Sequence, residues 1–336
     1  MIRRVWSVAR RDLASYFDHA TAYVLLVAFF VVTFLFFFPS AYELNEASLR
    51  PMMSLLPWVL LFLVPAVCMR ALAEERRGGT LELVLAQPIG VAEFVAGKFL
   101  GVYLFLLIAL AGTIGAPLGL AWGADMQWGV IVAQYAGSGL LIAAMVAVGL
   151  WASSLTENQV TAFILGVAII FALYAIGFPV VALGLPSFLS VIAVRLGILS
   201  HFDNVARGVI DLRDVLYFLS VCAAFLSLTY FSLMRERLSR RREAYRRLRL
   251  GTAGLVATAI FVALAGAQLR GRIDLTPGQV YTLSQPTREL LQGLDDLVTI
   301  KFFRTEELPP EFAHLRRDVE DLLRDFDAAG GGNVNL

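Results

Sequence analysis

Seven long apolar stretches dominate this chain, at residues 21–40, 52–69, 99–122, 129–152, 159–182, 215–234 and 251–269, and none of them contains Asp, Glu, Lys or Arg. A bilayer core of about 30 Å needs roughly 20 mostly apolar residues per helical crossing. The pattern therefore predicts an all-α polytopic membrane protein with seven spans. Hydrophobic residues make up 58% and charged residues 16% of the chain, against about 25% charged in soluble domains, which excludes a plain soluble enzyme. The first apolar run is long enough to span and is followed by Tyr42-Glu43-Leu44, so no cleavable leader is expected. Lys and Arg number 28 against 27 Asp and Glu, a net charge of +1, and nothing in that balance points to nucleic acid. Cys68 and Cys222 both lie inside apolar runs, where a thiol acts as a small hydrophobe; neither a disulfide nor a metal site is expected.

Basic residues collect on cytoplasmic loops. With the N-terminus inside, the cytoplasmic side holds Arg3, Arg4, Arg10, Arg11, Arg70, Arg76, Arg77, Lys98 and the eight arginines between Arg235 and Arg249. The opposite loops up to the seventh span hold only Arg50, Arg195, Arg207 and Arg213. That bias orients the chain, and the odd number of spans then puts everything from Arg270 onward outside the cytoplasm. Within residues 1–20, Ile2, Val5, Trp6, Ala9, Leu13, Tyr16 and Phe17 recur at helical spacing, with Arg3, Arg4, Arg10, Arg11 and Asp18 opposite them. This reads as an amphipathic helix in the membrane interface; the blander alternative is a charged flank that only fixes topology.

Residues 70–98 form a cytoplasmic loop with a built-in shape. Arg70 to Arg77 extends the second span as a charged helix, Gly78-Gly79 breaks it, and Thr80 is placed to cap a short helix Leu81-Glu82-Leu83-Val84-Leu85. Gln87-Pro88 closes that helix, and Val91 begins the approach through Gly97-Lys98 to the third span. The result is a compact knob suited to a groove on a partner protein.

On the other side, residues 185–214 are too apolar for a solvated loop yet contain Arg195, His201, Asp203, Asn204 and Arg207. They read as short helices that enter the outer leaflet and return, either lining a pathway or only anchoring the bundle. His201 has no recognisable metal-ligand set among its sequence neighbours. The basic linker 235–250 suits anionic lipid headgroups and separates a six-span unit (21–234) from a seventh span at 251–269. Beyond it, residues 270–336 have a soluble composition. Val280 to Leu283 reads as a short strand, Thr287 to Leu294 as a helix, Leu297 to Phe303 as a strand, Pro310 to Ala328 as a helix and Asn333 to Leu336 as the start of another strand. This reads as the start of an extracytoplasmic α/β domain, incomplete by itself, which a longer chain or a partner would complete.

No phosphate-binding loop is present: Gly97-Lys98-Phe99 lacks the upstream glycine and the following Ser or Thr. The chain is not expected to hydrolyse ATP. Its spans lack the ionisable groups that ion-coupled carriers use, and no catalytic grouping is visible.

The run Leu72-Ala73-Glu74-Glu75-Arg76-Arg77-Gly78-Gly79-Thr80-Leu81-Glu82-Leu83-Val84-Leu85, with Gln87-Pro88-Ile89 and Glu93 to Phe99, resembles the signature loop of ABC-2 type transporter permeases. The resemblance covers about residues 1 to 234. It implies a membrane subunit of an exporter in the bacterial inner membrane, working as a homodimer with two copies of a separate ATPase, on which ATP and Mg would be bound; this chain itself would hold no cofactor. Glu74, Glu75, Arg76, Gly78, Gly79, Thr80, Leu81, Glu82 and Pro88 would then carry ATPase coupling. His201-Phe202-Asp203-Asn204 through Arg207 to Asp211 resembles the external stretch of the gliding-motility type permease subgroup. Asp274-Leu275-Thr276, Tyr281-Thr282-Leu283-Ser284 and Val298-Thr299-Ile300-Lys301 resemble the start of a gliding-motility type auxiliary transport protein, which implies a fusion of the two. The rival function is a membrane scaffold that anchors an extracytoplasmic binding domain, although an anchor needs one span and not seven.

Overall fold

The computed structural model describes residues 2–44, 48–79, 89–178, 180–181, 184, 186–238, 242–266, 271–276, 282–294, 296–303, 319, 322–323, 325–327, 329–330 and 333–335. Among these, seven helices are long and apolar enough to cross a membrane. They are α2 (Ala20–Leu44), α3 (Arg50–Cys68), α5 (Val91–Gly112), α7 (Trp128–Ser154), α8 (Gln159–Ile176), α11 (Leu212–Leu238) and α12 (Arg242–Ala265). Shorter helices lie between and beside them: α1 (Ile2–Phe17), α4 (Ala73–Arg77), α6 (Gly115–Leu120), α9 (Ser187–Leu196), α10 (Ile198–Ala206) and α13 (Gln285–Gln292). The strands are β1 (Val209–Asp211), β2 (Arg272–Asp274), β3 (Val298–Thr299) and β4 (Val334–Asn335).

α7 is the axis of the bundle. It packs against α3, α5, α8, α10 and α11, and 67% of its span is buried in protein. It can be an axis because it is narrow: Gly137 sits against the Val205 side chain and Gly149 against Cys68. α12 packs along α11 and is covered least, with 17% of its span buried. α1 is amphipathic as expected. It buries Val8, Ala9 and Tyr16 against the bundle, mainly along α5, and Tyr16 stacks on Phe105.

Local sequence explains several boundaries. Asn158 caps α8 by accepting from the Val160 N–H at 2.9 Å, and Glu93 reaches back to the Gly90 N–H at 3.0 Å to begin α5, half of a capping box. The third span runs from Val91 to Leu120, as α5 and α6 joined at a turn where the Thr113 hydroxyl donates to the Leu110 carbonyl at 2.7 Å. The fifth span ends at Ile176, short of its apolar run, where Gly177 packs backbone to backbone on Gly197, the residue between α9 and α10. The arginine-rich stretch is largely helical, since α11 continues to Leu238 and α12 begins at Arg242.

In the C-terminal part, Ser284 caps α13 by accepting from the Thr287 N–H at 3.3 Å. The expected strand at 297–303 is only the two residues of β3, paired in parallel with β4. Leu283, Leu291 and Val334 make a small core with Leu294, Ile300 and Phe326. Described positions between 319 and 329 are helical, while most of the expected helix at 310–328 and Val280 and Tyr281 lie outside the described residues.

Candidate functional site

Two polar sites stand at opposite ends of the bundle. At the α1 end, α4 continues the line of α3 past the turn at Met69 to Leu72. Its first free amides are capped from a neighbouring helix: the Ser153 hydroxyl, on α7, accepts from the N–H groups of Leu72 at 3.2 Å and Ala73 at 3.1 Å. The same hydroxyl donates to the Met69 carbonyl at 3.3 Å. α4 is therefore anchored to the axis of the bundle and not a loose extension. Gly78 closes it, and Gly79 takes a left-handed φ of +67° with open space around it, which a residue bearing a Cβ resists. Thr80, Leu81, Glu82 and Pro88, expected to form the tip of the knob, lie outside the described residues.

The two glutamates of α4 part company. Glu74 pairs with Arg70 at 2.8 Å, and Arg70 also donates to the Thr21 hydroxyl at 2.7 Å, joining α4 to the start of α2. Glu75 turns inward and meets Lys98 of α5 at 2.6 Å. Lys98 simultaneously donates to Asp12 of α1 at 2.5 Å, and its side chain is 4% exposed. Arg11 stands 3.9 Å from Glu75 on the wet side of the group, and Arg4 pairs with Glu93 at 3.6 Å. One buried ammonium thus ties α1, α4 and α5 into a single block. Beside it, burial holds the Tyr16 phenol well above its usual range, so it remains a donor to the Val67 carbonyl at 3.2 Å. Arg76 is half-buried and Arg77 exposed on α4.

Sequence reasoning found Glu74, Glu75 and the glycine break but missed Asp12 and gave Lys98 no partner. A signal existed: Asp12 falls on the apolar stripe of α1, between Ala9 and Tyr16, where a carboxylate needs a buried cation.

At the other end, two short helices, α9 and α10, occupy the segment between spans five and six. His201 is buried, stacked on Tyr217 of α11 with ring centroids 3.9 Å apart. Its Nε2 donates to the Arg195 carbonyl at 2.9 Å, and its Nδ1 lies 2.6 Å from Asp214. Asn204 donates to the same Asp214 carboxylate at 2.9 Å and reaches Asp211 at 3.4 Å. So His201 and Asn204 converge, Arg195 contributes its carbonyl, and Asp203 sits on the exposed side with Arg207 half-buried. The acceptors that organise this segment, Asp211 and Asp214, were not singled out from sequence. Asp214 lies in the first turn of α11, where a helix favours negative charge. Among the described residues no group of three or more His, Cys, Asp and Glu is arranged to hold a metal.

Residues 277–336 match a domain of unknown function, DUF7088. Over 118 residues the chain is 33% identical to the probable ABC transporter permease protein NosY of Pseudomonas aeruginosa; the stretch covers 33% of this chain and 42% of that protein. The chain thus spans less than half the length of that relative. Residues 6–267, from within α1 through the seventh span, match the ABC-2 family transporter protein. That match takes in the α1–α4–α5 block, α9 and α10 and all seven spans found among the described residues, and the chain belongs to the ABC-2 transporter family as a membrane subunit.

Proposed function

We propose that this chain is the permease subunit of an ATP-driven exporter in the bacterial inner membrane, working as a homodimer with two copies of a separate ATPase that carries ATP and Mg. The N-terminus faces the cytoplasm and residues 270–336 lie outside it. The six-span unit at 21–234 is of the gliding-motility type, and the basic linker 235–250 joins it to a seventh span and the start of a fused auxiliary protein. The observation that supports this most directly is the block built on Lys98. The segment expected to dock on an ATPase, residues 80–88, is flanked in the chain by α4 and α5, and those helices are clamped to each other and to α1. A displacement of the knob is then delivered to the second and third spans together.

Coupling requires the docked knob to bind two ATPase conformations with different affinity. Purification of the chain from native membranes should bring down a nucleotide-binding ATPase whose hydrolysis rate the chain raises. A cysteine in place of Gly79 should label only when a maleimide can reach the cytoplasm. Recovery without any ATPase, together with labelling of that cysteine from outside, would favour a scaffold instead.

A further inference from the structure

We propose that residues 271–276 are a strap that holds the α9–α10 hairpin in its seat, with Arg272 as the positioning residue. Whatever acts on residues 277–336 then reaches the membrane bundle through this strap. Only the statement that these residues face outside rests on the exporter reading above.

The chain leaves α12 and immediately recrosses the hairpin. β2 pairs antiparallel with β1 in the register Val209 with Asp274, Ile210 with Ile273, and Asp211 with Arg272. The ladder is flanked by bonds from the Leu212 N–H to the Gly271 carbonyl at 2.7 Å and from the Leu275 N–H to the Gly208 carbonyl at 3.3 Å. Pairs in an antiparallel ladder alternate, so Asp211 and Arg272 occupy a pair without mutual backbone bonds, the kind whose side chains approach most closely. Arg272 Nε donates to Asp211 at 2.8 Å.

The contact does not stop at Asp211. The other oxygen of that carboxylate meets Arg213 at 2.7 Å and Asn204, which in turn holds Asp214 and so the His201 ring on Tyr217. Arg272 is the outer member of a polar chain that runs into α11. In the other direction its guanidinium stands 4.0 Å from Asp325 of the C-terminal part. The Leu275 carbonyl lies over Gly129 at the start of α7, where a Cβ would collide with it. Asp274 then accepts from the Thr276 N–H at 2.9 Å and hydroxyl at 2.6 Å, turning the chain toward residue 277. Two strands of three residues do not pair stably by themselves in water; this ladder holds because both strands are tethered to packed membrane helices.

Hydrogen exchange on the full chain in lipid nanodiscs tests the proposal. Arg272→Glu should speed exchange of the amides at 198–211 by about tenfold, the loss of one charge-assisted hydrogen bond, and leave α7 unchanged. Arg272→Lys should stay near the parent. Unchanged exchange at 198–211 in Arg272→Glu overturns the strap. If the whole chain loosens, a disulfide between cysteines at Val209 and Asp274 in the Arg272→Glu background decides. Oxidation that restores protection supports the strap, and oxidation that does not overturns it. Labelling of an Ile273→Cys variant by a membrane-impermeant maleimide separately reports which side the strap faces. Labelling from the cytoplasm sinks the orientation without touching the exchange result.

Discussion

Lys98 and Asp12 lie 86 positions apart in the chain and meet at 2.5 Å, a buried link between α1 and the bundle. Their neighbour Glu75 gives the ammonium a second carboxylate at 2.6 Å. Removing one partner of a buried ion pair leaves the other charged and dry, which costs about 3–5 kcal/mol. Lys98→Met is therefore expected to lower the melting temperature sharply and to open α1 to limited proteolysis. Lys98→Met combined with Asp12→Asn should recover part of the loss. Equal proteolysis of parent and single variant would show that the triad does not hold α1.

Ser153 satisfies two amides of a helix to which it does not belong. Ser153→Ala strands both, at about 1–3 kcal/mol for each buried donor left without a partner. The expected result is faster hydrogen exchange at residues 72–79, with α7 itself unaffected. Exchange confined to the α7 terminus would assign the hydroxyl a purely local role.

The backbone contact between Gly177 and Gly197 leaves no room for a side chain on either residue: a Cβ on Gly177 would lie 2.8 Å from the Gly197 Cα. Gly197→Ala should cost about 1–3 kcal/mol through overpacking and should separate the hairpin from α8. The check is a fall in thermal stability paired with greater accessibility of a cysteine introduced at Leu199. A variant as stable as the parent would mean that the two helices part without cost.

Gly79 has space but an unusual backbone angle. Gly79→Pro fixes φ near −65° where the chain has +67°, and no side-chain contact is lost. On the coupling proposal it should reduce stimulation of the copurified ATPase by about tenfold or more, as should charge reversal at Glu82, while insertion and expression stay normal. Full stimulation in both variants would remove the loop from coupling.

What could be read from residues alone follows a physical division. Spans and the amphipathic α1 are set by local composition over twenty or so residues, so they were legible to within a few positions. The end of span five was not. Its apolar run continues past Ile176, and the stop comes where Gly177 meets Gly197, a residue beyond the helix that ends there. The hairpin was legible as a segment, but its organising groups were not. His201 was read beside Phe202, Asp203 and Asn204, whereas its side-chain partner is Asp214, on the next helix. The strap was invisible for a stronger reason: β1 and β2 are three residues each and lie on either side of two membrane helices, so no local pattern announces their pairing.

The slenderness of α7 limits how this protein can change shape. Where Gly137 and Gly149 let side chains of neighbouring helices rest on bare backbone, there is no slack for those helices to roll past one another, because close-packed interiors rearrange between discrete fits and do not deform smoothly. Among the described spans α2, α8 and α12 are the least buried in protein, whereas α3, seated on Gly149 through Cys68, can shift only by stepping from one fit to another.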